Sequence, residues 1–206
     1  HDLGIQLSEP DIRVLNINNG ANSMLDDMLS RNPKYQIQQA ISNFILGKLR
    51  LSGEYLQKYI TLIETKAFQV LPQKDQIFCG AYCRFLGSLI KTNTTIIHTN
   101  NPKIYHIGES HCLSYAHSPI RVKTKPYVVA PKIIFGAKAF HFSTKSANLY
   151  KAITENHLKK IPNGSVVFVS IGEIDCRANE GIIKASDKTG KTLSKIINET
   201  VDGYIE

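Results

Sequence analysis

The residues best suited to chemistry lie in Ile104-Tyr105-His106-Ile107-Gly108-Glu109-Ser110-His111-Cys112-Leu113. An apolar, strand-like run stops at Gly108, and a helix-compatible run follows Ser110. Such a junction lifts a serine hydroxyl to the end of a strand, beside the start of a helix. Free backbone N–H groups and the helix dipole there favour an attacking oxygen and the oxyanion that it generates. Ser110 is therefore a candidate nucleophile. Two later segments have the same form, Phe135-Gly136-Ala137-Lys138 and Ile171-Gly172-Glu173-Ile174-Asp175. Each closes an apolar run with a glycine, which permits a sharp turn and close approach of a ligand. A single glycine of this kind says little, because strands often end that way; recurrence at successive strand ends carries more weight.

The elements that must position these residues change character along the chain. Residues 1–35 are weakly patterned, with a turn expected at 16–20 and a helix start at Asn32-Pro33. Ile37, Ala40, Ile41, Phe44, Ile45 and Leu49 fall on one helical face. A break is expected at Ser52-Gly53, after which Tyr55, Leu56, Tyr59, Ile60 and Ile63 continue. The cleanest stripe is Ile77, Phe78, Ala81, Tyr82, Phe85, Leu86, Leu89 and Ile90. Helical spacing predicts burial of this aromatic stripe rather than a ligand box. Polar turn residues between 91 and 102 mark a boundary, so the chain is read as a helical region, 1–95, and a second domain, 102–206.

Beyond the boundary, strands are predicted at 103–107, in a region 128–136 interrupted by Pro131, and at 165–171. Helical patterns lie between and after them, at Leu149, Ala152 and Ile153 and at Leu193, Ile196, Ile197, Val201, Tyr204 and Ile205. Near-continuous apolar strands alternating with helices predict an α/β fold with a doubly wound, flavodoxin-like parallel sheet. In such sheets function gathers at the carboxyl ends of the strands.

Composition narrows the classes. Apolar residues make up 42% of the 206 residues, enough for a core. The net charge of +8 is spread out, with only a mild cluster at Arg121, Lys123 and Lys125. Without an arginine-rich run or an aromatic platform, it indicates a solvated surface rather than nucleic-acid binding. No stretch is long and apolar enough to span a membrane. Cys79 and Cys83 stand i, i+4 on a helical pattern, which is not a metal knuckle. Four cysteines in such a chain fit a reducing compartment, and a cytoplasmic location is expected.

Two resemblances sharpen this reading. Gly108-Glu109-Ser110 resembles the Gly-Asp-Ser block of the SGNH/GDSL hydrolases, with glutamate replacing aspartate. Gly172-Glu173-Ile174-Asp175 stands where that family has Gly-x-Asn-Asp, and the similarity covers about 103–206. It implies a serine acyl-ester hydrolase, or a carbohydrate O-acyl esterase or transferase, of bacterial type. Its substrate would be an acylated small molecule or carbohydrate, and it would need no cofactor or metal. Ser110 would attack, and Gly136 would give the second oxyanion N–H. The stretch 49–55, Leu-Arg-Leu-Ser-Gly-Glu-Tyr, resembles the middle of a tetratricopeptide repeat and implies a protein partner for the helical region. Lys58 stands where that repeat prefers a small residue and no second copy follows, so a plain helical bundle is an equal reading.

The chain departs from the SGNH pattern twice. Ile174 occupies the place of the oxyanion asparagine and donates nothing. Losing such a donor costs on the order of 10²–10³ in rate. Arg177 is the candidate replacement, beside Asp175 at the same strand end; the competing reading is an ion-pair network of Glu173, Asp175 and Arg177. Second, the family's Asp-x-x-His is missing and the last histidine is His157, so a C-terminally incomplete domain is expected. Among local histidines, His141 is the candidate base, His111 is a substrate-side candidate, and His117 falls later on the helix expected after Ser110. Glu109, Lys138 and Glu173 complete the candidate binding residues. Cys112 reads either as a reactive thiol or, in its apolar setting, as a buried small residue. A non-catalytic ligand-binding module is the alternative function.

Overall fold

The computed structural model describes residues 28–92 and 101–205. The chain divides into two compact units, His1–Ile96 and Ile97–Glu206. The turn expected at 16–20 and the Ile96-Ile97 run lie outside the described residues.

The first unit contains α1 (Pro33–Ile45), α2 (Leu49–Leu62), a short α3 (Lys66–Gln69) and α4 (Gln73–Thr92). The Asn32 side chain caps α1 by accepting from the N–H groups of Lys34 and Tyr35, and Pro33 follows at the first helical position. Ile37, Ala40, Ile41 and Phe44 are buried, as their spacing predicts. The chain turns at Gly47, whose φ of 75° is left-handed, and not at Ser52-Gly53. Those two residues lie inside α2. The Ser52 hydroxyl is buried and donates to the Ala40 carbonyl at 2.7 Å, so it knits α2 to α1 and needs no turn to satisfy it. The Gly-x-Tyr of the repeat-like stretch is therefore mid-helix. On α4 the buried seam is Asp75, Cys79, Tyr82 and Leu86, and Ile77 is 64% exposed. Lys34 of α1 reaches Asp75 at 3.2 Å, which turns the acidic edge of the broad apolar stripe inward.

The second unit contains β1 (Lys103–Gly108), a 3-10 segment (Ser110–Tyr115), β2 (Pro119–Val122), β3 (Lys125–Ile133), α5 (Ala139–Ser143) and α6 (Leu149–Lys159). Then follow β4 (Val167–Ser170), a 3-10 turn (Ile174–Cys176), α7 (Ile182–Thr189) and α8 (Leu193–Ile205). The strands form one open sheet in the order β2-β3-β1-β4. β1 is parallel to both β3 and β4, whereas β2 is antiparallel to β3, so the sheet is mixed rather than all parallel.

Pro131 does not interrupt β3. The N–H groups of Val128 and Ile134 donate toward β1, whereas that of Val129 donates to Ser118 on the other side. By this alternation Pro131 presents its nitrogen away from β1, at a point beyond the last β2 pairing, and no ladder bond is lost there. β4 is shorter than the run 165–171 suggests. It is an edge strand, with Phe168 and Val169 about half exposed instead of covered on both faces.

One sheet face packs Ile107 and Val167 against Phe142 of α5 and Tyr150 and Ile153 of α6. Behind Ser110 the chain forms a six-residue 3-10 segment rather than an α-helix. That segment buries Cys112 and Leu113 and ends before His117, whose φ of 63° lies outside any helix.

Candidate functional site

β1 has β3 on one side and β4 on the other. Its carboxyl end is thus the point where successive parallel strands change sides, the position at which open α/β sheets bind ligands. Gly108 ends the strand there. A Cβ on it would stand 2.6 Å from the Ser170 carbonyl oxygen and 2.7 Å from Ser170 Oγ, so only glycine lets β4 approach this closely. Ser110 follows at the start of the 3-10 segment, partly exposed.

Two buried carboxylates stitch the strand-end loops together. Glu109 is 3% exposed, and its Oε1 accepts from the Glu173 N–H at 2.9 Å, which ties the loop after β1 to the loop after β4. Burial raises its carboxyl above the usual carboxylate range. Asp175 is also buried, and it accepts from the N–H of Ala139 at 2.7 Å and more weakly from that of Phe140 at 3.4 Å. It therefore caps α5 and joins the loop after β4 to the loop after β3. Gly181 packs against the same turn, since a Cβ there would fall 2.0 Å from the Asp175 carbonyl oxygen.

Arg177 is engaged by its neighbours. Its Nε and Nη2 donate to the two carboxylate oxygens of Glu173 at 3.1 and 2.8 Å, and its Nη1 lies 3.5 Å from Glu180 Oε1. The guanidinium holds the Glu173 carboxyl below its ordinary range. The ion-pair network anticipated here thus contains Glu173, Arg177 and Glu180, with Asp175 bonded to backbone instead. Lys138 Nζ donates to the Glu180 carbonyl at 3.0 Å. Gly136 sits in a left-handed conformation with φ of 68° in the loop three residues past the end of β3. Ile174 is buried.

The histidines are occupied differently. His141 Nδ1 accepts from the Lys138 N–H at 3.0 Å, and its ring stacks on Tyr150 at 3.8 Å. His111 Nδ1 lies 3.7 Å from Glu173 Oε2. No hydrogen bond joins a histidine to Ser110 among the described residues. Cys112 is fully buried, and burial pushes its thiol up to about 12, which leaves it unreactive at neutral pH.

Two arrangements were not foreseen from the sequence. His106 Nε2 lies 2.7 Å from Ser170 Oγ, in the space that Gly108 leaves open, with Tyr115 and Phe168 flanking the ring. The i, i+2 spacing of His106 and Gly108 signals a shared face, but only the register of β4 brings Ser170 to it. The other is the grouping of Glu109, His111 and Glu173, which places one ligand-type atom of each within 4.8 Å of the others. A groove of about 390 Å³, lined in part by Tyr105, Tyr127 and Val166, opens at the amino ends of the strands, away from Ser110.

Burial lowers the His106 imidazole below its ordinary value. The folded chain then binds this proton less readily than the unfolded chain. The stability owed to neutral His106 is complete above about 6.5 and is lost as pH falls from there. Glu109 shifts in the opposite sense, so the comparison must isolate His106. Urea unfolding between pH 7.5 and 5 should show a steeper acid loss in the native chain than in His106→Gln; parallel profiles would remove His106 from the account.

Among the described residues, no helix is long and apolar enough to cross a membrane. The fold is an open, mixed α/β sheet. Comparison of the chain with protein-family models, curated proteins and solved structures finds no match.

Proposed function

We propose that the second unit is a serine acyl-ester hydrolase or carbohydrate O-acyl esterase or transferase of the SGNH type. The observation that carries this reading is the place of Ser110, two residues after the glycine that ends β1, where the parallel strands change sides. In this reading Ser110 Oγ attacks the ester carbonyl, and the N–H groups of Ser110 and Gly136 stabilise the oxyanion. The oxygen attacks only when a base takes its proton, and no described histidine is hydrogen-bonded to Ser110 to do so. Turnover by this chain alone should therefore be close to nil. We also place the protein in the cytoplasm, consistent with four free cysteines.

The test is a fluorophosphonate probe with peptide mapping on the full-length protein, alongside acetate release from an acetylated sugar by that protein. Labelling should fall on Ser110 and vanish in Ser110→Ala. Esterase activity that survives Ser110→Ala would sink the assignment. A second reading, a non-catalytic module that binds an acidic or sugar ligand, is favoured by Ile174 in the place of the oxyanion asparagine and by the lack of the Asp-x-x-His pair. In that case the helical unit serves protein interaction. This reading expects ligand binding without turnover, and steady acetate release would exclude it.

A further inference from the structure

From the convergence of Glu109, His111 and Glu173 we propose that the loops after β1 and β4 form a site for a divalent transition-metal cation of the zinc type. One carboxylate or imidazole atom of each residue lies within 4.8 Å of the others. His111 Nδ1 and Glu173 Oε2 are 3.7 Å apart, near the roughly 3.3 Å ligand–ligand edge that zinc bond lengths give a tetrahedron.

An independent observation points to a missing partner. Glu109 is 3% exposed, and its Oε2 receives no hydrogen bond of normal geometry from any described residue, the Ile174 N–H acting only weakly on the carboxyl group. A buried carboxylate oxygen without a donor is costly, and a cation is a partner that satisfies it directly. One imidazole and two carboxylates are donors that suit zinc-like ions better than magnesium. Three protein ligands also leave a coordination position open to solvent. His111 and Glu173 have side-chain exposures of 55% and 44%, so an ion can enter and both side chains can close the remaining distance.

Arg177 competes for the same carboxylate, because its Nη2 donates to Glu173 Oε2 at 2.8 Å. The cation takes Oε2 from the guanidinium, and Arg177 keeps Glu180 as its second partner. Metal binding thus frees part of Arg177 at the strand ends. None of this requires Ser110 to act as a nucleophile.

The test uses the whole chain with Co²⁺ as a visible probe and Zn²⁺ in calorimetry. One cation per chain should bind with N/O-type d–d absorption. His111→Ala should weaken binding at least about tenfold, the lower end of what losing even an outer-shell partner costs. Arg177→Gln should strengthen it. Glu109→Gln should weaken it too; His111 is exposed, so its variant stays decisive if the buried substitution does not fold. Affinity unchanged in His111→Ala would overturn the proposal. So would sulfur-to-cobalt charge-transfer bands, which would mark adventitious binding at the cysteines. Failure of either kind leaves the fluorophosphonate result untouched, so the two ideas fall separately.

Discussion

Replacing Gly181 with alanine should lower the thermal unfolding midpoint of the chain by more than about 10 °C. The added methyl would sit 2.0 Å from the Asp175 carbonyl oxygen, 2.4 Å from its carbonyl carbon and 2.7 Å from the Ile174 oxygen. All three are backbone atoms, so no side chain can swing aside to relieve the contact. Overpacking typically costs about 1–3 kcal/mol and more where the backbone must move. At the top of that range a domain of this size loses on the order of 10 °C or more. Restricting the unfolded chain by losing a glycine offsets only about 0.4–1 kcal/mol. Circular dichroism melts of the native and variant chains decide the matter. A variant that melts within a degree or two of the native chain would show that the turn after β4 is more pliable than its packing indicates.

The second large effect is expected at Asp175. Its Oδ2 holds the Ala139 N–H at 2.7 Å, and the carboxylate is 4% exposed as a residue. A hydrogen bond to a charged group contributes about 1.5–3 kcal/mol, and truncation leaves the donor unpaired besides. Asp175→Ala should therefore destabilise the chain by roughly 3 kcal/mol. Asp175→Asn, which keeps one acceptor oxygen, should cost less. The site-specific reading is hydrogen exchange at the Ala139 and Phe140 amides, which should lose protection in the alanine variant before the rest of the sheet does. Unchanged protection at both amides would mean that Asp175 does not cap α5, and its role would have to be sought at a substrate.

Asp175 also shows what a sequence conceals. A charged residue just past a strand-ending glycine invites a catalytic reading, and Glu109, Glu173 and Arg177 invite the same. Which of them bind substrate and which bind the neighbouring loop depends on loop-to-loop distances that no local pattern encodes. Glu109 bonds to residue 173 and Asp175 to residue 139, and both contacts span dozens of positions. What was legible is what short-range physics writes. The Asn32-Pro33 start of α1, the Ile37 to Phe44 face and the 103–107 strand all follow from period and capping. The short antiparallel β2 was missed because Pro119 and Arg121 break the apolar pattern. Pro131 was misread because a proline is disruptive only where the ladder needs its N–H, and that depends on where β2 stops. The turn inside 49–55 was misplaced because Gly53, with open space around it, is tolerated within a helix, whereas Gly47 carries the left-handed residue.

The two edges of the sheet differ in how openly they present unpaired backbone. On the β2 side the hairpin is guarded. The strand is four residues long and begins with Pro119, Arg121 sits within it, and Lys123 and Lys125 flank its turn. Proline, short length and positive charge are the features that natural edges use to refuse another strand. On the β4 side, Val167-Phe168-Val169-Ser170 carries neither charge nor proline and leaves Phe168 and Val169 half in solvent. Among the described residues the two edges are thus unequally guarded: β2 carries the features that discourage a further strand, and β4 carries none of them.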